Sequence, residues 1–141
     1  MILTDVNVLV YAHREETADH PRFRDWLERL VTQPEAFGVS ELVLSSFTRV
    51  VTHPRIFHPP TPLSSALGFC RFLRDQPGAV LVGPGERHWS IFTDLCTRAS
   101  ARGNLVSDAF FAALAIESGC EWVTTDRDYA RFPGLRWRQP F

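Results

Sequence analysis

The chain has 141 residues, of which 45% are hydrophobic and 22% charged, and these values are typical of one globular domain over residues 1–141. No apolar run is long enough to cross a membrane, and the N-terminus lacks a basic segment followed by a long apolar one, so we expect neither a membrane anchor nor a signal peptide. The net charge of −1 does not indicate a nucleic-acid-binding protein. All 15 basic residues are arginine, which permits a phosphate-containing ligand without arguing for one.

The cysteines argue against a zinc site. Cys70, Cys96 and Cys120 are odd in number and far apart, and no Cys-x-x-Cys pair exists. We therefore expect free thiols in a reducing cytoplasm.

The first apolar run, residues 1–4, predicts a buried strand, and Asp5 follows it at the start of a helix over about residues 6–12. Asp5 alone has two interpretations. It could be the N-cap of that helix, or a site residue, because ligands of open α/β sheets bind beyond the carboxyl ends of the strands. Residues 20–32 carry apolar side chains three, four and seven positions apart, which predicts an amphipathic helix.

The same strand-acid-helix pattern then occurs a second time. Residues 36–39 predict a second strand, Ser40 is expected to cap the next helix, and Glu41 lies in the first turn of that helix. Four prolines make residues 52–62 a loop. Thr61 is expected to cap the helix that follows.

The next segments predict a third strand at residues 79–82 and a helix that ends near Gly103. Asp108 then stands before a markedly apolar helix over residues 109–116, whose small side chains predict close packing. Tryptophans at apolar-periodic or strand positions are expected to lie in the core; these are Trp26, Trp89 and Trp122.

The C-terminal part completes the alternation of strands and helices. Residues 120–125 predict a fourth strand, which Asp126 follows directly, and residues 135–137 predict an edge strand. Such alternation indicates an α/β fold, a three-layer α/β/α sandwich with a mainly parallel twisted sheet of four to five strands. We expect the first strand to be central in that sheet.

Four acids share one position in this pattern, because each lies where an apolar run passes into a helix: Asp5, Glu41, Asp108 and Asp126. Any one of them could be a helix cap. Four in one small domain indicate a shared site, since a parallel sheet brings several strand ends to one edge. A site made of several carboxylates suits Mg²⁺ or Mn²⁺, and such ions can promote phosphodiester hydrolysis.

The sequence contains no competing catalytic motif. Glycine-rich phosphate loops, the Gly-x-Ser-x-Gly elbow and the His-Glu-x-x-His motif are all absent. A phosphohydrolase of the haloacid dehalogenase type would need a second aspartate where Asn7 stands and a distant lysine, and the chain has neither.

Several motifs together resemble the PIN domain. They are the Asp5-x-Asn7 pair after the first strand, the helical Glu41, Ser107-Asp108 before an alanine-rich helix, and the segment from Thr124 to Tyr129. More narrowly, the chain resembles VapC, the ribonuclease toxin of VapBC toxin–antitoxin systems, over nearly its whole length. Residues 49–57 are similar to a stretch found in one VapC subgroup.

The resemblance implies a Mg²⁺- or Mn²⁺-dependent endoribonuclease, a cognate VapB antitoxin and a homodimer. It also implies that Asp5, Glu41, Asp108 and Asp126 form the acidic site, with Asp5 and Asp108 as the central metal ligands. Residues that would orient the carboxylates or water are Asn7, Thr125 and Asp128. Tyr129 stands where the family often has phenylalanine, which is interpreted as a packing change.

Three residues outside the acidic set are candidate RNA contacts. Phe57 could stack on single-stranded RNA beside Arg55, or its ring could pack onto the core or a dimer surface. Arg127 could neutralise a phosphate, or lie on the ordinary surface. A catalytically decayed module that binds RNA or protein is the alternative to an enzyme.

Overall fold

Five short strands and six α-helices alternate along the computed structural model, which describes residues 1–141. The strands are β1 (Ile2–Thr4), β2 (Phe37–Val39), β3 (Ala79–Leu81), β4 (Glu121–Val123) and β5 (Trp137–Arg138). The helices are α1 (Val6–His13), α2 (His20–Thr32), α3 (Glu41–Val51), α4 (Leu63–Arg74), α5 (His88–Arg98) and α6 (Asn104–Ser118), and a 3-10 helix spans Arg127–Arg131.

The strands form one parallel sheet in the order β3-β2-β1-β4-β5, with helices around it. This confirms the expected α/β sandwich and the central position of β1. Thr4 pairs with Val123 of β4, so the ends of the two neighbouring strands lie side by side. Because all strands are parallel, the residues that follow β1, β2 and β4 emerge at one edge of the sheet.

Close contact between β1 and β2 depends on Gly38. A Cβ atom at this position would lie 2.7 Å from Leu3 Cδ2 and 3.2 Å from the Ile2 carbonyl oxygen. A larger residue would therefore force the buried Leu3 side chain to move and would press on the backbone of β1.

Helix α6 packs tightly against its surroundings because its side chains are small. Residues without solvent exposure include Ala109, Ala112, Ala113 and Ala115, and α6 contacts α5, β4 and the 3-10 helix. Gly119 ends the helix in the left-handed conformation at φ 70°. None of the helices has the length and hydropathy that crossing a bilayer requires.

Three helix boundaries differ from the sequence-based expectation. Helix α6 begins at Asn104, with Gly103 as its N-cap, so Asp108 lies one turn inside the helix and Gly103 does not end α5. Pro62, and not Thr61, precedes α4, because the Thr61 hydroxyl is bonded to His13 and Arg14. Ser40 does precede α3, but its buried hydroxyl makes no capping bond.

The tryptophans divide between core and surface. Trp26 and Trp122 are buried, as expected, whereas Trp89 is 67% exposed and the prediction for it is wrong. Trp89 lies in the first turn of α5 and contacts only the ring of Phe92 among the aromatic side chains.

Candidate active site

Asp5 stands at the carboxyl end of the central strand and is only 5% exposed. Its carboxylate accepts hydrogen bonds from the Val6 backbone N–H at 2.7 Å and from the Thr124 hydroxyl at 2.5 Å. The pKa of Asp5 is raised from 3.8 to about 6, mainly by burial and also by the charges of Asp108 and Asp126, although both hydrogen bonds act in the opposite direction. Asp5 is thus the N-cap of α1 and also a member of an acidic cluster, so its two interpretations do not exclude each other.

Thr124 connects the ends of β1 and β4. The pairing of Thr4 with Val123 places Asp5 beside Thr124, one position beyond both strands, and the Asp5 N–H donates to the Val123 carbonyl at 2.9 Å. The Thr124 hydroxyl donates to Asp5 and accepts from the Asp126 N–H at 2.9 Å. One buried hydroxyl therefore fixes the positions of two acids.

Asp108 reaches the cluster from the second turn of α6 and is half-buried. Its pKa is raised to about 6, first by burial and then by the negative charge of Asp126. The buried Tyr129 hydroxyl donates to Asp108 Oδ1 at 3.4 Å. Burial and the charges of all three acids raise the pKa of Tyr129, so its hydroxyl remains a donor, and Tyr129 is more than the packing substitution that the sequence suggested.

A pocket of about 600 Å³ opens in front of Asp5, Asp108 and Asp126. Helix α3 supplies one wall and the start of α6 the other. The residues that complete the lining are Val6, Asn7, Leu42, Ser45, Ser46, Arg49, Val50, Asn104, Ser107, Phe110 and Phe111. The pocket has the size of an ordinary ligand site, and its floor is acidic.

Glu41 does not share this pocket. Its side chain is 70% exposed and lies 3.5 Å from the guanidinium of Arg74 in α4. An α-helix turns by about 100° per residue, which places Glu41 about 90° from the middle of the α3 face that carries Ser45, Ser46 and Arg49. The structure therefore brings together three of the four expected acids.

The expected supporting residues occupy different places. Asn7 lines the pocket and is exposed to it, without a side-chain hydrogen bond. Thr125 makes no side-chain hydrogen bond either, and the neighbouring Thr124 makes the contacts that were expected of it. Asp128 lies outside the pocket, but its N–H donates to Asp126 at 2.8 Å and its charge raises the pKa of Asp108.

The three candidate RNA contacts lie away from the acids. The half-buried Phe57 ring lies under the Arg14 guanidinium, 4.4 Å from its carbon, which matches the packing interpretation. Arg55 is exposed on the same loop, and Arg127 borders a separate surface depression beside β5. None of the three lines the carboxylate pocket.

The donor set fits a hard divalent cation. All three acids offer oxygen atoms, two have raised pKa values, and no arginine forms an ion pair with any of them, so their negative charge is not compensated. No three acidic, histidine or cysteine side chains converge closely enough to enclose an ion on their own. Mg²⁺ needs no such enclosure, because it commonly binds one or two carboxylates and keeps several waters.

Sequence comparison gives the family. The PIN domain family model matches residues 2–135. Ribonuclease VapC43 of Mycobacterium tuberculosis is 44% identical over 140 residues, which cover 99% of this chain and 95% of the relative. Ribonuclease VapC25 of the same species is 41% identical, with 99% of both chains covered.

Solved structures agree on the fold. VapBC2 from Rickettsia felis, crystallised with a DNA fragment from its promoter, has a TM-score of 0.72 at 18% identity, with 99% of this chain and 98% of that chain covered. VapBC-1 from nontypeable Haemophilus influenzae has a TM-score of 0.70 at 14% identity over the same shares of the two chains. The matched family model, the full-length VapC relatives and the shared fold lead to one conclusion: the chain belongs to the PIN domain family, among its VapC proteins.

Proposed function

We propose that the chain is the toxin of a type II toxin–antitoxin system and that it hydrolyses RNA phosphodiester bonds with Mg²⁺ or Mn²⁺ at Asp5, Asp108 and Asp126. The observation that carries this proposal is that three uncompensated carboxylates, those of Asp5, Asp108 and Asp126, line one open pocket. The names of the VapC relatives, which are ribonucleases, support the choice of RNA as substrate.

Each residue of the site has a proposed role that depends on its position in the pocket. Asp5, fixed by Thr124, and Asp108, held by Tyr129, would be the two main ligands of the ion, with Asp126 completing the acidic floor. When bound, a divalent ion would supply Lewis acidity at the phosphate and lower the pKa of water beside it. Asn7, with its free amide at the pocket wall, would orient that water.

The same proposal includes partners and location. A VapB-type antitoxin is supported by the solved VapBC complexes that share this fold, and an acidic pocket would attract a basic group of such a partner. We also propose a homodimer, as the family resemblance implies. Three free cysteines agree with a reducing cytoplasm.

Two substitutions test the assignment. Asp5→Asn and Asp108→Asn should each reduce cleavage of a structured RNA by ~100-fold or more, because even a residue that only orients a metal ligand contributes 10–100-fold. EDTA should abolish cleavage by the parent protein, and added Mg²⁺ or Mn²⁺ should restore it.

The controls separate the site from the rest of the surface. Asp25→Asn, at an exposed position of α2, should cleave like the parent. Glu41→Gln should retain most activity, because Glu41 faces Arg74 and not the pocket. A parent protein that binds RNA but never cleaves it, with any divalent ion, would favour the decayed binding module.

A further inference from the structure

Arg49 is the only positively charged residue in the lining of the acidic pocket. It lies in the last turn of α3, on the helix face that also carries Ser45 and Ser46. The opposite face of α3 carries Val43, Leu44 and Phe47, which are buried in the core. The side chains of Ser45 and Ser46 are short, so they leave the guanidinium of Arg49 accessible from the pocket.

The guanidinium of Arg49 has no partner in the protein. It forms no ion pair and no hydrogen bond, whereas Arg14, Arg24, Arg74, Arg98 and Arg138 each pair with a carboxylate. None of the carboxylates of Asp5, Asp108 and Asp126 is within ion-pair distance of this guanidinium. The positive charge and the acids therefore occupy separate parts of one pocket.

This separation fits a substrate that carries its own negative charge. Phosphate would be repelled by the acidic floor, and a guanidinium at the wall offers two parallel N–H donors to its oxygens. The Ser45 and Ser46 hydroxyls add neutral donors beside it.

We propose that Arg49 binds a backbone phosphate of the RNA strand, so that the scissile bond lies over the acidic floor. This assignment rests on the proposed ribonuclease function and adds a subsite to it. Arg49 is a substrate-binding residue here, and it does not hold the metal ion.

Binding measurements on single-stranded RNA test the proposal. In an Asp108→Asn background, which should stop cleavage, Arg49→Met should weaken binding ~10-fold to 100-fold, the usual effect of losing a hydrogen bond to a charged group. The slope of log affinity against log salt should decrease by about 0.7, the value for one phosphate contact on a single strand. Arg49→Lys should retain part of the affinity.

The matched control is Arg71→Met. Arg71 is also exposed, unpaired and in the last turn of a helix, α4, but it lies outside the pocket. This variant should bind RNA like the parent. In a cleavage-competent protein, Arg49→Met should raise KM while kcat stays within a few-fold, and metal affinity measured by calorimetry should not fall.

Each other outcome contradicts the proposal in a distinguishable way. If the parent binds RNA with a clear salt dependence and Arg49→Met binds identically, Arg49 is not a phosphate ligand, although the ribonuclease function stands. If Arg49→Met lowers kcat with unchanged affinity, Arg49 acts on the chemical step and not in binding. If the parent neither binds nor cleaves RNA, the proposed function itself fails.

Discussion

A single hydroxyl, that of Thr124, sets the geometry of two acids that follow neighbouring strands. It is completely buried, donates to Asp5 and accepts from the backbone of Asp126. A buried carboxylate that loses a donor is left with part of its desolvation cost uncompensated. Thr124 therefore stabilises the fold and also lowers the pKa of Asp5.

Replacing Thr124 with valine, which has nearly the same shape, removes the hydroxyl alone. We expect a loss of about 1–3 kcal/mol in the free energy of unfolding, measured with urea. The hydrogen bond lowers the pKa of Asp5, so its removal should move that pKa above about 6 and shift the acidic limb of the pH–rate profile upward. Thr125→Val is the control, and an equal effect of both substitutions would contradict the role given to Thr124.

The sequence predicted which acids follow strands but not the direction of every side chain. Asp5 and Asp126 follow adjacent parallel strands, so their proximity could be expected from topology. Glu41 could not be placed in the same way, because the direction of its side chain depends on the rotation of α3 about its axis. The choice between Thr124 and Thr125 depends on strand register, and a shift by one residue reverses the side-chain direction.

The proline-rich loop, residues 52–62, is held to the end of α1 mainly by one arginine. Arg14 donates to the Thr61 hydroxyl at 3.0 Å and to the Pro59 carbonyl at 2.9 Å, and its guanidinium covers the Phe57 ring. It also forms an ion pair with Glu16. The side chain is 12% exposed, so these contacts are largely protected from water.

Substitution of Arg14 by methionine should release this loop. We expect a loss of about 2 kcal/mol in unfolding free energy, since several charged hydrogen bonds disappear together. Amide exchange within residues 53–61 should become faster, while exchange in the central strand should not. Arg24→Met removes only two exposed ion pairs, with Asp25 and Glu28, and should cost less than about 0.5 kcal/mol. Unchanged exchange in the loop of the Arg14 variant would show that other contacts hold it.

Helix boundaries were predicted best where the apolar pattern repeats over several turns. The boundaries of α2, residues 20–32, agree with the structure because its buried side chains repeat over three turns. The start of α6 was misplaced because the polar Asn104 and Ser107 interrupt the apolar pattern of its first turn, which also contains Leu105 and Val106. Threonine is a residue type that often caps helices, but the Thr61 hydroxyl bonds instead to His13 and Arg14, which are distant in the sequence. A local sequence pattern could not predict these contacts.

When no cation is bound, the buried negative charge in the acidic pocket lowers the free energy of unfolding of the whole molecule. Between about pH 4 and pH 6 the folded state keeps a proton on Asp5 that the unfolded chain has already released. Stability contributed by this group is therefore complete at low pH and is lost as the pH rises through about 6.

The metal-free protein should reveal this cost by comparison with Asp5→Asn. At pH 7.5 we expect the variant to be more stable than the parent by about 2–3 kcal/mol, as a carboxyl shifted by about two pH units implies. The difference should shrink toward pH 4, and Mg²⁺ should narrow it at pH 7.5 by stabilising only the parent. Thermal unfolding at each pH provides the measurement, with Asp25→Asn as control. A variant less stable than the parent at pH 7.5 would mean that Asp5 is not under electrostatic strain.

The hydrogen bond between Thr124 and Asp5 joins residues that are 119 positions apart in the sequence. Closing such a long loop is entropically costly, so this contact forms only when most of the chain has been made and has folded around β1. An unfinished or clipped chain that lacks β4 would have Asp5 and Asp108 but neither Thr124 nor Asp126. The proposed site of Asp5, Asp108 and Asp126 would therefore be complete only after β4 has been made and has paired with β1.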